Sequence, residues 1–479
     1  MSYISMQYYV LLIITVFLYY LLPTRLRWLI LWVSSCFFYV LISAANYMNL
    51  LLFFISIVIS FFSGIFLEKK FQDSKCFLGS SILLIVIPLL NIKMNAIFHF
   101  YNNDAISLIV PVGLSFYTLQ IIAYVCDIYL KKIEAQKNFL KYMLFVSFFP
   151  QIVQGPIPRY KELSRQLFSG NLFQISNIVQ GNLLILWGFF LKFMIADKSG
   201  IFVNKVFSDY QTYEGLYVFI AGILYSIQLY TDFLACVCIS QGSARLFGIV
   251  LTDNFSQPYF SRSVKEFWRR WHITLSFWLR DYVYIPLGGS KKGTLRKYSN
   301  LVLTFLVSGL WHGNGIHFLF WGFLHGVYQI VGSIGANVFD KIYGFFHIRE
   351  GSFVKNSIQT LITFLLVMIA WIIFRAQTLQ QGITMLGNMI SAWNPQILFS
   401  GDIFKVGLDR KDWLVLAPSI LFLFVVEFFQ KDGFNAIEWI QNQRIWIRWP
   451  IYILAVLLIM IFGTYGYGYN AQEFIYGGF

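Results

Sequence analysis

Charge is scarce in this chain. Only 12% of its 479 residues are Asp, Glu, Lys or Arg, about half the roughly 25% of a soluble domain. At the same time 58% are hydrophobic and 20% aromatic. A soluble fold of this size must cover its surface with polar groups, so the composition excludes one. The bilayer is the solvent that suits such a chain. Cysteine is scarce too. Cys36, Cys76, Cys126, Cys236 and Cys238 are an odd number, mostly within or beside apolar runs, which argues against a disulfide framework. Cys236-Val-Cys238 has no histidine near it, so no metal site is expected. A basic n-region and a small-x-small cleavage site are both missing around the first apolar run, which therefore reads as a retained span. No internal repeat is evident, which counts against transporter folds built from duplicated halves.

What is present is a series of long apolar runs. They cover residues 8–22, 28–44, 48–67, 77–98 and 106–130, then 141–153, 178–195, 215–239, 299–311, 316–339, 357–374, 413–429 and 449–465. A span needs about 20 mostly apolar residues, and the pattern predicts an all-α polytopic membrane protein with about 11–13 spans. The net charge of +14 comes from 36 Lys+Arg against 22 Asp+Glu. In the first part of the chain the basic residues fall in every second loop: Arg25/Arg27, Lys69/Lys70/Lys75 and Lys131/Lys132/Lys137. The loops at 45–47 and 99–105 hold none. That alternation places the basic loops in the cytoplasm and the N-terminus outside. It explains the charge without nucleic acid, for which no motif is present. Residues 154–177 and 252–297 mix basic residues and proline with Trp, Tyr and Phe, as segments lying in the headgroup region do.

Histidine is the residue that could carry chemistry. There are six: His99, His272, His312, His317, His325 and His347. Three lie between Lys297 and Asp340, a stretch without Asp, Glu, Lys or Arg. It contains Ser308-Gly-Leu-Trp311-His312-Gly313-Asn314-Gly315-Ile-His317 and, further on, His325-Gly326. An ionisable group at membrane depth is a functional candidate. A neutral imidazole can take a proton from a hydroxyl and return it to a leaving group. Gly309, Gly313 and Gly315 allow close backbone approach and place His312 at a bend rather than in a smooth lipid-facing helix. A histidine in such a protein is also accounted for by a hydrogen bond to a neighbouring helix, and for His325 beside Gly326 packing is the favoured reading. The second constellation runs from Glu266 to Tyr282. Trp268, Trp271, His272 and Leu275 stand at i, i+3, i+4 and i+7, which predicts one helical stripe turning His272 inward among aromatics. Arg269, Arg270 and Arg280 suit the phosphates of lipid or of a donor, and an interfacial anchor helix accounts for the same residues.

These blocks, taken together and in order, resemble the membrane-bound O-acyltransferase (MBOAT) family, closest to its bacterial alginate O-acetylation branch. The resemblance begins with Tyr19-Tyr20-Leu-Leu-Pro23 and Pro111-Val-Gly113-Leu-Ser115-Phe116-Tyr117. It continues through Gln154-Gly155-Pro156, Lys192-Phe-Met-Ile-Ala196-Asp197 and Phe267-Trp268-Arg269-Arg270-Trp271-His272. Arg280-Asp281-Tyr282, Trp311-His312-Gly313, Trp321-Gly-Phe-Leu-His325-Gly326 and Trp371-Ile-Ile-Phe374-Arg375 complete it. It implies one transmembrane domain over 1–479, with N-terminal spans in 1–141, a catalytic core in 142–400 and C-terminal spans in 401–479. It implies a ring of tilted helices with interfacial helices around a central funnel or tunnel. It also implies His312 as the catalytic histidine and His272 as a second functional one. Trp271, Trp311, Asn314, Arg269, Arg280, Asp281 and His325 are then candidates for binding substrate or donor. The implied reaction is O-acetylation from a cytoplasmic thioester, acetyl-CoA or an acyl-carrier thioester, with no metal. The implied acceptor is an extracytoplasmic polysaccharide or an esterase-like, SGNH-type partner. The implied place is the bacterial cytoplasmic membrane.

Two departures stand out. Cys236-Val-Cys238 follows Tyr230-Thr231-Asp232-Phe233 where relatives carry a second acidic residue, and the chain ends Phe474-Ile-Tyr476-Gly-Gly-Phe479. D-alanyl transfer to a teichoic-acid-type acceptor is the near alternative. A flippase for a lipid-linked sugar is the alternative from another class, and it predicts paired acidic and basic residues near mid-membrane. Such pairs are expected to be scarce here.

Overall fold

The computed structural model describes residues 2–44, 46–98, 112–465 and Phe474. His99, the loop at 99–105, the start of the run at 106–130, Pro111 and the C-terminal residues after Phe474 lie outside the described residues. Among the described residues all regular structure is helical. In hydrocarbon each backbone N–H and C=O must be satisfied within its own segment, and a helix does that. Eight helical stretches among the described residues are long and apolar enough to span a membrane: Thr24–Ile42, Tyr47–Lys69, Ile175–Ser208, Leu216–Arg245, Ile316–Ala336, Phe353–Arg375, Arg410–Lys431 and Ile445–Phe462. Met6–Leu21, Lys75–Asn91 and Leu114–Tyr129 are shorter apolar helices. The chain is a multi-pass membrane protein. Two expected runs are not among these: 299–311, which lies in the helix Thr294–His312, and 141–153. Residues 141–153 yield only the nine-residue helix Phe139–Ser147, about 14 Å long and too short to span. Phe148 leaves the helical conformation there (ψ 106°), and Pro150 disfavours helix at Phe149.

The chain falls into two compact units. The first comprises 1–189, 235–252 and 473–479. It holds α1 (Met6–Leu21), α2 (Arg27–Ile42), α3 (Tyr47–Lys69), α4 (Lys75–Phe98), α5 (Leu114–Tyr129), α6 (Phe139–Ser147), α7 (Tyr160–Phe168) and α8 (Ile175–Phe189). α5 is buried along nearly its whole length and packs on α3 and α4. Lys131 meets Asp73 at 3.3 Å, Lys137 pairs with Glu68, and the Ala135 N–H donates to Glu68 at 3.1 Å. Two of the expected basic loops therefore share one side.

The second unit comprises 190–234 and 253–472. It opens with a π-helical segment, Phe190–Ala196, followed by α9 (Asp197–Ser208) and α10 (Leu216–Arg245), whose last turns belong to the first unit. Then come α11 (Val264–Arg270), α12 (Ile273–Leu279), α13 (Thr294–His312), α14 (Ile316–Phe345), α15 (Phe353–Arg375) and α16 (Leu379–Ser391). α17 (Ile397–Ser400), α18 (Arg410–Lys431), α19 (Ala436–Gln441) and α20 (Ile445–Phe462) complete it. α13 and α14 form a hairpin joined by three residues, and glycine sets how closely they cross. A Cβ on Gly309 would overlap the Phe318 carbonyl oxygen, and one on Gly322 the Phe305 carbonyl oxygen. Small residues at such crossings let helix backbones touch in a membrane.

Gly309→Ala and Gly322→Ala are each expected to destabilise the protein by about 1–3 kcal/mol through overpacking. Gly332→Ala on α14, where a Cβ meets nothing within 4 Å, should leave the melting temperature unchanged or raise it slightly. Thermal unfolding in detergent measures all three, and a Gly309→Ala protein as stable as the parent would contradict the crossing.

Candidate active site

His272 sits at a break in the backbone. The expected single stripe through Trp268, Trp271, His272 and Leu275 is two short helices: α11 stops at Arg270 and α12 begins at Ile273. His272 takes φ 42° and ψ 55° between them, a left-handed conformation costly for any residue but glycine. Asn254 holds it there. Its backbone oxygen accepts the Ile273 N–H at 2.9 Å. Its Oδ1 accepts the Thr274 N–H at 3.2 Å and the Thr274 hydroxyl at 2.9 Å. All four residues of the stripe are still buried, so the expected inward facing holds while the continuous helix does not.

The same asparagine fixes the proton on His272. A backbone N–H only donates, so the Asn254 atom facing Thr274 is oxygen. That oxygen only accepts, and His272 Nδ1 lies 3.2 Å from it. Nδ1 therefore carries the ring proton, and the lone pair is on Nε2. The side chain is fully buried, and burial pushes the imidazole down from its ordinary range to about 3, because an apolar setting disfavours the cation. His272 is a neutral hydrogen-bond acceptor.

His312 is the last residue of α13. Gly313 continues in extended backbone and Gly315 caps α14, which is the expected bend. A Cβ on Gly313 would overlap the Phe318 ring, and one on Gly315 the His317 imidazole. His312 is 2% exposed. Three rings stand edge-on around it: Trp311 at 4.7 Å between centroids, Trp321 at 5.1 Å and Phe374 at 5.5 Å. Trp311 also lies 5.9 Å from His272, so one indole touches both histidines. His325, two turns along α14, is walled by Trp268, Trp321 and Tyr328. The Trp268 indole N–H donates to His325 Nδ1 at 3.1 Å, which puts the His325 proton on Nε2, the tautomer opposite to that of His272.

The expected site residues divide clearly. His272, Trp311 and His312 touch in sequence, His325 joins them through Trp321, and Trp271 lies buried beside Trp371 at 5.2 Å. Arg269 is exposed. Arg280 is exposed and held by Asp281 at 2.8 Å and by the Phe277 ring, so neither arginine is part of the histidine cluster. Asn314 is half-buried in the turn after His312. Trp321, Trp371 and Phe374 were visible in the motif blocks without a role, and the structure makes them the wall around His312. The expectation that paired charges would be scarce in the spans is corrected. Lys192 bonds Asp232 at 2.8 Å and Asp197 at 2.9 Å, all three buried within spanning helices. The Tyr230 hydroxyl donates to Glu427, also buried. Asp232 stands 40 residues from Lys192 and Glu427 stands 197 from Tyr230, too far for local pattern to join them.

Because the folded imidazole of His272 stays neutral to about 3 while an unfolded one takes a proton near 6.5, its contribution is fully present above about 6.5 and lost as pH falls toward 3. The loss can reach about 1.4 kcal/mol per pH unit. The melting temperature should fall on acidification from about pH 6.5 to about 4.5, within that window, and His272→Gln should flatten the fall. An unchanged slope in that variant would contradict a buried neutral histidine.

The family model described as MBOAT, membrane-bound O-acyltransferase family, matches residues 130–377, a stretch holding every residue of the histidine cluster. The chain is 35% identical over 324 residues to "Probable alginate O-acetylase AlgI" of Pseudomonas syringae pv. tomato, covering 67% of this chain and 60% of that protein. It is 31% identical to the protein of the same name from Pseudomonas putida, covering 75% and 74%. It is 30% identical to "Peptidoglycan O-acetyltransferase" of Helicobacter pylori, covering 78% and 76%. The match thus spans less than two thirds of the length of the Pseudomonas syringae relative. With the family model matched over about half of its length and a relative 31% identical across three quarters of it, the chain belongs to the membrane-bound O-acyltransferase family.

Proposed function

We propose that this chain is a membrane O-acyltransferase that moves an acetyl group from a cytoplasmic thioester to a hydroxyl on the far side of the membrane. The observation that carries the reading is the placement of His312. It ends a helix at a glycine bend, is walled by three aromatic rings, and shares Trp311 with a second, neutral histidine. His312 takes the proton of the acceptor hydroxyl as its oxygen attacks the thioester carbonyl. The carbon–sulfur bond then breaks, and the departing thiolate takes that proton from His312. His272, with its lone pair on Nε2, receives a hydrogen bond and orients a reactant. The aromatic wall keeps water from the thioester.

The names of the alginate and peptidoglycan relatives support acetyl as the group and a polysaccharide or peptidoglycan as the acceptor class. The donor is acetyl-CoA or an acyl-carrier thioester, and an SGNH-type esterase-like protein is the partner that receives or passes on the acetyl group. The alternating basic loops support the cytoplasmic membrane with the N-terminus outside. The buried Lys192 cluster is a feature a lipid-linked-sugar flippase would also show. The histidine pair and the family favour acyl transfer.

The test uses the purified protein in proteoliposomes with radiolabelled acetyl-CoA and an oligosaccharide acceptor. Wild type should release label from CoA, and folded His312→Ala should lose at least about 100-fold of the rate, the contribution of a general base. Undiminished transfer in His312→Ala would overturn the assignment.

A further inference from the structure

One turn of α10 carries three residues that reach in three directions. Tyr230 donates to Glu427 of α18. Asp232 accepts from Lys192 at 2.8 Å. Phe233 stands edge-on to the His272 ring at 4.8 Å and 86°. Every one of these side chains is buried. Lys192 lies in the π-helical segment Phe190–Ala196 and Asp197 immediately follows it. The π geometry stacks residues five apart, and so brings Asp197 to Lys192 at 2.9 Å.

A buried ion cluster of this kind is a weak source of stability. Replacing it whole with neutral residues of similar size is often tolerated, whereas removing one member leaves a stranded charge. Its use lies instead in fixing a register or a rotation. Here the geometry it fixes is specific. The rotation of α10 that joins Asp232 to Lys192 also sets Phe233 on His272, and sets Tyr230 5.9 Å from Trp271, the residue before His272. Asn254 holds His272 through Nδ1.

We propose that the Lys192–Asp197–Asp232 cluster, braced by the Tyr230–Glu427 hydrogen bond, is a positioning device for His272: it locks α10 so that Phe233 holds the imidazole in the orientation that acyl transfer needs. This rests on the acyl-transfer reading. Lys192, Asp197, Asp232 and Phe233 are positioning residues and act through His272.

The experiment compares wild type, His312→Ala, the neutral triple variant Lys192→Met/Asp197→Asn/Asp232→Asn, and Phe233→Leu, each reconstituted and assayed with acetyl-CoA. Folding is monitored by size exclusion and thermal unfolding. The triple variant should fold, with kcat lowered roughly 10- to 100-fold, as small misplacements in an active site do, and with KM for acetyl-CoA within about two-fold because binding is spared. Phe233→Leu, which leaves the ions in place, should show the same split. A folded triple variant with wild-type kcat would overturn the proposal, because the cluster would then serve stability alone. If the triple variant does not fold, Phe233→Leu decides, and unchanged kcat there overturns it. Wild type and His312→Ala alike in moving no acetyl from acetyl-CoA or from an acetylated carrier protein, with an SGNH-type partner supplied, would sink the acyl-transfer reading and this proposal with it. Activity that depends on His312 keeps the reading standing whatever the other variants show.

Discussion

Inside a bilayer a polar group that finds no partner within the chain stays without one, and that constraint shapes this protein. It makes the described spans helical, since a helix satisfies its own backbone. It forces the interruptions of helix to be braced. Where α11 gives way to α12, Asn254 supplies both a backbone and a side-chain acceptor. Where α13 gives way to α14, glycines at 313 and 315 admit the rings of Phe318 and His317. Ionisable side chains of the spans are likewise brought together, Lys192 with two aspartates and Tyr230 with Glu427. The histidine cluster sits where these braced breaks meet the aromatic wall.

The two histidines beside Trp311 differ in what holds them. His272 is held by hydrogen bonds, with its proton fixed on Nδ1 and its charge state fixed as neutral by burial. His312 is ringed by aromatic edges. In the proposed reaction the residue of defined tautomer accepts a hydrogen bond and the other moves the proton. His325, locked in the opposite tautomer by Trp268, supplies a donor rather than an acceptor in the same aromatic cluster.

Much of this was legible in the residues. Long apolar runs predict spans because the bilayer selects for length and hydropathy alone, and most appear within a few residues of the expected bounds. The bend at His312 was legible because glycines at 309, 313 and 315 flank it in an uncharged stretch. The break at His272 was not. Helical periodicity through Trp268, Trp271, His272 and Leu275 continues unbroken in sequence, and the residue that interrupts it, Asn254, stands 18 positions upstream. The run at 141–153 is apolar enough to span, yet Pro150 and the turn at Phe148 end its helix after nine residues. The Lys192 cluster depends on a π-helical spacing and on a contact 40 residues away, neither of which leaves a local pattern. Sequence thus shows which residues are costly to bury and leaves unseen which distant residue meets that cost.

The central claim is that His272 and His312 form one site around Trp311. The measurement that tests it most directly is a double-mutant cycle on kcat/KM with His272→Gln, His312→Ala and the double variant, each verified as folded. Residues that act as a unit lose little more together than singly. The account predicts that the double variant is about as slow as His312→Ala alone. Losses that multiply, as they do for independent sites, would contradict it.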